Sequence, residues 1–384
     1  MPTRPRPSRM VGNWLLALGA VVATLIFVEA ALRVRALLAH NQTLATALAD
    51  TKQPPRGAEV TLGQMIRIAS NPRIIYELRP DLDVIYRGAR VLTNDLGFRG
   101  PAIQAGEAAE RFRIVGIGDS VMFGQAIDFE ETYLFRLQSA LADRLPALDL
   151  ETINTAVPGY NTVMEVETLK EKVLPLGPDL VIIDLVDNDF ALPNFITAPD
   201  QEPDAKGSMV LSILSASIAR LLHRHDLGNH TTPASDEFDP RGLIPTPPAG
   251  EGISGYADRP ELAPPRYADF VGLEAFRNAI LELQALSLQH SFALVAVTMH
   301  VHDTPGKEEI VRVMEELGIP LVDAGAAILR YIREENIPLG IDSPLRASKD
   351  DAHPSGLSHK VAAEEILRRL MEWKLIPSTD RGAL

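Results

Sequence analysis

Apolar positions in the second half of the first 120 residues and beyond fall into short runs separated by longer periodic stretches. Phe112 to Ile117 is the first such run, Leu150 to Asn154 the second, and Leu180 to Leu185 the third, almost wholly aliphatic. Phe292 to Thr298 and the short Pro320 to Asp323 complete five. Runs of this length suit strands buried on both faces of a sheet. Between them the apolar spacing turns helical: Glu131 to Arg144, Thr162 to Val173, Arg266 to Leu288, Lys307 to Leu317, and a long amphipathic stretch after Pro354. Strands alternating with helices predict an α/β fold, a doubly wound parallel sheet of five strands covered on both faces.

Two stretches break the rhythm. Arg4, Arg6 and Arg9 precede an apolar run from Trp14 to Val28, and the wider span Met10 to Leu32 has the ~20 residues a membrane helix needs. Val28-Glu29-Ala30 could mark a cleaved signal, but helix formers continue to Ala39 and favour an uncleaved anchor. The leading cations keep the amino terminus inside and export the body to the periplasmic side. The second stretch, 191–265, is rich in proline, glycine and acids, with only Met209 to Leu222 helical in pattern. A long insertion of that kind predicts a lid over the crevice.

The expected organisation is a cytoplasmic tail (1–10), a transmembrane helix or signal anchor (11–38), a stalk with a small β accessory element (39–110), a main α/β domain (111–375) carrying the insertion, and a tail (376–384). The accessory strands are expected between Tyr76 and Pro101, where turn signals are dense, and residues 41–75 read as the stalk.

Charge sharpens the picture. The chain of 384 residues carries a net −14, yet residues 1–40 hold +4, so the remainder is at −18. An acidic body excludes nucleic acid as the main partner, because phosphate binding needs clustered cations. The complete lack of cysteine excludes disulfides, thiolate metal sites and cysteine nucleophiles.

Candidate chemistry sits at the strand ends. The first strand runs into Gly116-Ile117-Gly118-Asp119-Ser120-Val121-Met122-Phe123-Gly124. A dinucleotide fingerprint needs a third glycine where Val121 stands, and a phosphate loop needs a lysine that is absent. What remains is a serine held where strand gives way to helix, or a serine that merely caps the helix. The carboxyl end offers a base: Asp350-Asp351-Ala352-His353-Pro354 precedes Ser355 and Gly356, which open the last helix. Histidine can take a hydroxyl proton at neutral pH and needs an acceptor for its other nitrogen. Asp350, three residues earlier, has the expected spacing, and Asp351 is the neighbouring alternative. Gly159 follows the second strand and Asn188 the third, both placed to stabilise an oxyanion or simply to form turns. Asp119 beside the serine is expected to bond backbone amides and brace the turn. His300 and His302 alternate on an extended segment but lack a third ligand at recognisable spacing, so neither a metal nor a cofactor is expected.

A serine, a glycine, an asparagine and a histidine at successive carboxyl strand ends converge on one crevice. In that order they resemble the SGNH (GDSL-type) serine hydrolase superfamily, and Thr93-Asn94-Asp95-Leu96-Gly97-Phe98-Arg99-Gly100 is similar to the segment preceding this domain in its membrane-tethered bacterial members. The resemblance implies a flavodoxin-like sheet. It implies Ser120 as nucleophile, His353 as base and Asp350 as its acid. The oxyanion hole would comprise the amides of Ser120 and Gly159 and the side chain of Asn188. It departs at Val186, where the third block more often has glycine. The activity implied is hydrolysis of an ester or acetyl group on a small molecule or glycan. Acyl transfer to an envelope polysaccharide and a non-catalytic binding module are the alternatives. An α/β-hydrolase is excluded, because no serine here has glycine at both −2 and +2. Oligomeric state is not legible.

Overall fold

The computed structural model describes residues 53–104, 111–197, 243–246 and 259–377, with Thr24. Two antiparallel hairpins come first. β1 (Ile66–Ile68) pairs with β2 (Tyr76–Leu78), and β3 (Asp83–Tyr86) pairs with β4 (Ala89–Leu92). The catalytic sheet begins with β5 (Phe112–Ile117), followed by the short helix α1 (Ser120–Phe123) and α2 (Tyr133–Arg144). Then come β6 (Leu150–Asn154), α3 (Thr162–Thr168) and β7 (Leu180–Asp184). β8 (Phe195–Thr197) and β9 (Leu243–Pro245) pair antiparallel. The chain ends with α4 (Gly272–His290), β10 (Ala293–Thr298), α5 (Pro305–Leu317), β11 (Leu321–Asp323), α6 (Ala324–Glu334) and α7 (Gly356–Glu372).

The five expected strands form one parallel sheet in the order β11-β10-β7-β5-β6. Counted along the chain this is 2-1-3-4-5, the flavodoxin-like order, whose crevice opens where β5 meets β7. Every residue of β7 is buried, as an aliphatic run between two helical layers must be. Helices α2 and α6 each pack on α7, and α3 packs on α4.

Local chemistry explains where the elements depart from expectation. α6 is an element the sequence pattern did not separate: Asp323 ends β11 and its carboxylate accepts the Ala326 amide at 2.8 Å, starting a helix at once. The helix expected from Arg266 breaks at Gly272, whose φ of 82° no continuous helix allows. The helix from Thr162 stays α-helical only to Thr168 and finishes as a wider turn ahead of Pro175.

The accessory region is part of the body. Leu62, Met65, Ile66, Ile74 and Tyr76 are buried in the same apolar core as the sheet, so from about Val60 onward the expected stalk is packed chain. All described residues except Thr24 lie in one compact unit. The expected membrane helix (11–38) lies outside the described residues apart from Thr24, as do most of the insertion and the lid reading placed on it. Among the described residues no helix is long and apolar enough to cross a membrane.

The segment Thr93–Gly100 ties the accessory hairpins to the sheet. Asn94 accepts the amides of Leu96 at 3.0 Å and Phe98 at 2.9 Å, closing a turn. The Arg99 amide donates to Asn154 at the end of β6, 3.1 Å away. Its guanidinium is only 2% exposed and donates to the carbonyls of Phe123, Gly124 and Ile127, lying 4.4 Å from the Phe123 ring. Burial lowers its pKa to about 10, which still leaves it charged at neutral pH. A cation buried on carbonyls is stable only while those carbonyls stay put. Arg99 therefore fixes the carboxyl end of α1, the helix that begins with Ser120.

Candidate active site

Ser120 stands at the carboxyl end of β5, at the switch point of the sheet. Asp119 caps α1, its carboxylate accepting the Val121 amide at 2.9 Å, as the bracing role expected of it requires. The Ser120 hydroxyl lies 2.8 Å from His353 Nε2 and 3.2 Å from Asp119 Oδ2. It has one proton to give. The shorter contact runs to the imidazole.

His353 Nδ1 is 2.6 Å from Asp351 Oδ1. A carboxylate can only accept, so Nδ1 carries the proton and Nε2 is left to accept from Ser120. The acid beside the imidazole is thus Asp351, and the expectation of Asp350 is corrected: Asp350 is exposed, while Asp351 is 8% exposed. The reason is local. Asp351 Oδ1 also accepts the His353 amide at 3.0 Å, an Asx-turn that folds the carboxylate back two residues along the chain. Ser348 accepts the Asp351 amide at 3.0 Å and holds the turn from the other side. Burial alone would raise the Asp351 pKa; the bonds from the His353 ring and amide and from Gln125 outweigh it and hold the carboxyl well below the usual range.

Three residues at this site escaped the sequence reading. Gln125 Nε2 lies 3.3 Å from Asp351 Oδ2 and 3.0 Å from His353 Nδ1. Two donors cannot bond each other, so the Gln125 amide serves the carboxylate. Its orientation is set by Tyr86, whose hydroxyl donates to Gln125 Oε1 at 3.2 Å. Arg87 donates from Nε to the Tyr86 hydroxyl at 3.3 Å and brings Nη1 to 3.7 Å from Asp351 Oδ2. Tyr86 and Arg87 sit at the tip of the β3–β4 hairpin. Positive φ at both Arg87 (50°) and Gly88 (82°) makes the tight two-residue turn that presents them. The Tyr86-Arg87-Gly88 turn was readable as a hairpin signal, but its proximity to residue 351 was not.

Gln125→Leu is expected to lower kcat by about tenfold with KM little changed, since a hydrogen bond to a buried charge contributes ~1.5–3 kcal/mol. Arg87→Met is expected to cost about threefold or less and to fade at high salt, its side chain being exposed. Steady-state kinetics at two ionic strengths checks both; equal losses in kcat for the two variants would contradict the geometry.

Gly159 follows β6, and Asn188 follows β7. Gly159 has φ of 79°, and a Cβ there would stand 2.3 Å from the Asn194 side chain, so only glycine fits. The loop carrying it is held from beneath: the Tyr76 hydroxyl donates to the Pro158 carbonyl at 3.1 Å and the Tyr160 hydroxyl to the Tyr76 carbonyl, their rings 5.4 Å apart edge to face. Asn188 Nδ2 donates to Asp119 Oδ2 at 3.0 Å. Val186, where glycine was anticipated, is extended with φ of −137°, a conformation any residue adopts, and its amide donates to Asp189 at 2.7 Å.

Beneath Asp119 lie three further buried acids. Burial and then the charge of Asp119 raise Asp189 to about 8. The same causes push Asp184 well up. Glu165 is raised well by burial and then by Asp189, Asp119 and Asp184, and neither of its carboxyl oxygens has a hydrogen-bond partner. In the unfolded chain a glutamate ionises near ~4.3. Above that pH the unfolded state binds fewer protons than the folded one, so stability is full below it and falls as pH rises through the raised values. Glu165→Gln removes one such group. Its Tm is expected to exceed that of the parent by about 2–4 °C at pH 8, the shift ~1 kcal/mol produces at this size, and by less at pH 5. A larger gain at pH 5 than at pH 8 would reverse the sign.

His300 has its Nδ1 3.6 Å from Asp187, and burial, ahead of the opposing pull of Asp187, lowers its pKa. Among the described residues no cluster of three or more metal-ligating side chains occurs.

The family model described as GDSL-like Lipase/Acylhydrolase matches residues 114–366. No curated protein sequence matches the chain. Solved structures that are similar include LAE5, an alpha/beta hydrolase enzyme from the metagenome of Lake Arreo, Spain, at 17% identity and a TM-score of 0.39, covering 71% of this chain and 100% of that one. An acetylxylan esterase from Geobacillus stearothermophilus is similar at 15% identity and a TM-score of 0.38, covering 71% and 97%. TesA is similar at 12% identity and 0.39, covering 69% and 99%.

Proposed function

Because the chain belongs to the GDSL-like lipase/acylhydrolase family and is an SGNH-type serine esterase, we propose that it cleaves its ester through Ser120, His353 and Asp351. The observation that carries this reading is the unbroken path of contacts, 2.8 Å from Ser120 Oγ to His353 Nε2 and 2.6 Å from Nδ1 to Asp351. In the first half-reaction the Ser120 proton passes to Nε2 as Oγ bonds the carbonyl carbon. The carbonyl oxygen becomes an oxyanion, held by the amides of Ser120 and Gly159 and by the Asn188 Nδ2 proton that otherwise makes the long 3.4 Å bond to the Tyr160 carbonyl. The alkoxy C–O bond then breaks, and the imidazolium returns its proton to the departing oxygen. Water, deprotonated by the same nitrogen, attacks the acyl-enzyme, and collapse releases the acid and restores Ser120. Asp351 stays ionised and stabilises the imidazolium throughout.

The Arg4, Arg6 and Arg9 cluster before the apolar run supports a membrane-anchored body on the periplasmic side. The test of the catalytic reading is labelling with a fluorophosphonate. One adduct per chain, located on the peptide containing Ser120, is the expected result. A chain that hydrolyses esters but takes the label elsewhere would sink the assignment.

A further inference from the structure

Hydrogen bonds join the loop after β6 to the loop after β7. Asn161 Nδ2 donates to the Ala191 carbonyl at 2.7 Å, the Thr162 hydroxyl to Asp189 at 2.7 Å, and the Asn194 amide to the Gly159 carbonyl at 3.1 Å. Asn194 is held from its other side as well. Its carbonyl accepts the Thr246 amide at 2.9 Å, and the Thr246 hydroxyl donates to the Pro193 carbonyl. The backbone at Asn194 is thereby fixed in both directions.

Its side chain is not used in this. The Asn194 carboxamide is exposed and has no hydrogen-bond partner among the described residues. It lies against Gly159, where an added Cβ would stand 2.3 Å from its Cγ and from its Nδ2. The Gly159 amide donates to no group among the described residues either. An asparagine that serves only a turn spends its side chain on nearby backbone amides, as Asn94 does with Leu96 and Phe98. Asn194 leaves its side chain free beside a free backbone N–H. The cavity of about 630 Å³ next to Val121 and His353 draws no lining residue from 155–161 or 188–197. The Gly159–Asn194 face is therefore a separate surface at the same site.

The oxyanion held by the Gly159 amide is bonded to the carbon from which both arms of the ester branch, so an arm passing Gly159 comes within reach of the carboxamide. A carboxamide offers donors at one end and an acceptor at the other. A hydroxyl can use either end, since it both gives and accepts a hydrogen bond. We propose that Asn194 is a substrate-binding residue whose carboxamide hydrogen-bonds a hydroxyl group on the ester arm lying over Gly159. The proposal rests on the catalytic reading above, which puts the carbonyl oxygen at the Gly159 amide.

Two matched pairs exchange hydroxyl for methyl and distinguish the arms. They are 2-hydroxyethyl acetate against propyl acetate for the alcohol arm, and methyl 3-hydroxybutanoate against methyl 3-methylbutanoate for the acyl arm. With the full chain, followed by titration of the released acid, the hydroxyl member of one pair is expected to exceed its partner in kcat/KM by about fivefold beyond their ratio in alkaline hydrolysis. Asn194→Leu is expected to remove that excess, and Asn194→Ala to do the same with a side chain too small to disturb the loop. The ratio does not respond to a loss of folded protein, because both members of a pair meet the same enzyme. No excess in either pair, or an excess that survives both substitutions, with hydrolysis still dependent on Ser120, would overturn the proposal and leave the catalytic reading standing. Hydrolysis that persists in Ser120→Ala would overturn the catalytic reading and this proposal with it.

Discussion

Ser120→Ala is expected to abolish ester hydrolysis, with kcat falling by about 10⁴-fold or more, and His353→Ala to do the same. The double variant should be scarcely worse than either. The two side chains are joined by a single proton path, 2.8 Å long, so removing one end removes the use of the other. Folding should be little affected, because the Ser120 hydroxyl is partly exposed and its bonds are to Asp119 and His353 alone. Initial rates on the most reactive nitrophenyl ester, with Tm recorded beside them, check this. A double variant slower than the singles by the product of their separate losses would show that the residues act independently, and the shared path would be wrong.

The second large effect separates two adjacent aspartates. Asp351→Asn is expected to lower kcat by about 10³–10⁴-fold, and Asp350→Asn by less than about twofold. An asparagine at 351 can turn its NH₂ to Nδ1, which forces the ring proton to Nε2 and leaves no acceptor for the Ser120 hydroxyl. Asp350 points its carboxylate to solvent and has no contact with the imidazole to lose. Turnover of the two variants at one pH above neutrality is enough to tell them apart. Comparable losses at both positions would mean that the turn rearranges when substrate binds.

How legible was this in the sequence? The five strands were, almost to the residue, because aliphatic runs such as Leu180–Asp184 have no other way to bury both faces. Ser120 and Asn188 were legible as the residues that follow the first and third strands, and His353 as the residue before the last helix, with α6 between it and β11. The choice of acid was not. A spacing of three and a spacing of two both let a carboxylate reach an imidazole, and the decision fell to the Asx-turn at Asp351 and the Ser348 bond that supports it. α6 was hidden because Asp323 ends a strand and caps a helix at once, leaving no loop to separate them.

The sequence by itself determined the sheet, its winding and the place of Ser120 at the end of its first strand, since local periodicity and chain order are properties of neighbours. Only the tertiary structure could decide what surrounds them. Arg87 reaches a carboxylate 264 positions further on, Arg99 grips the far end of the helix that begins with Ser120, and the cavity beside His353 is assembled from α6, the first turns of α1 and α7 and three separate loops. Those contacts join residues far apart in the chain, where no spacing rule operates and where packing of the whole core, not any local preference, sets which side chains face one another.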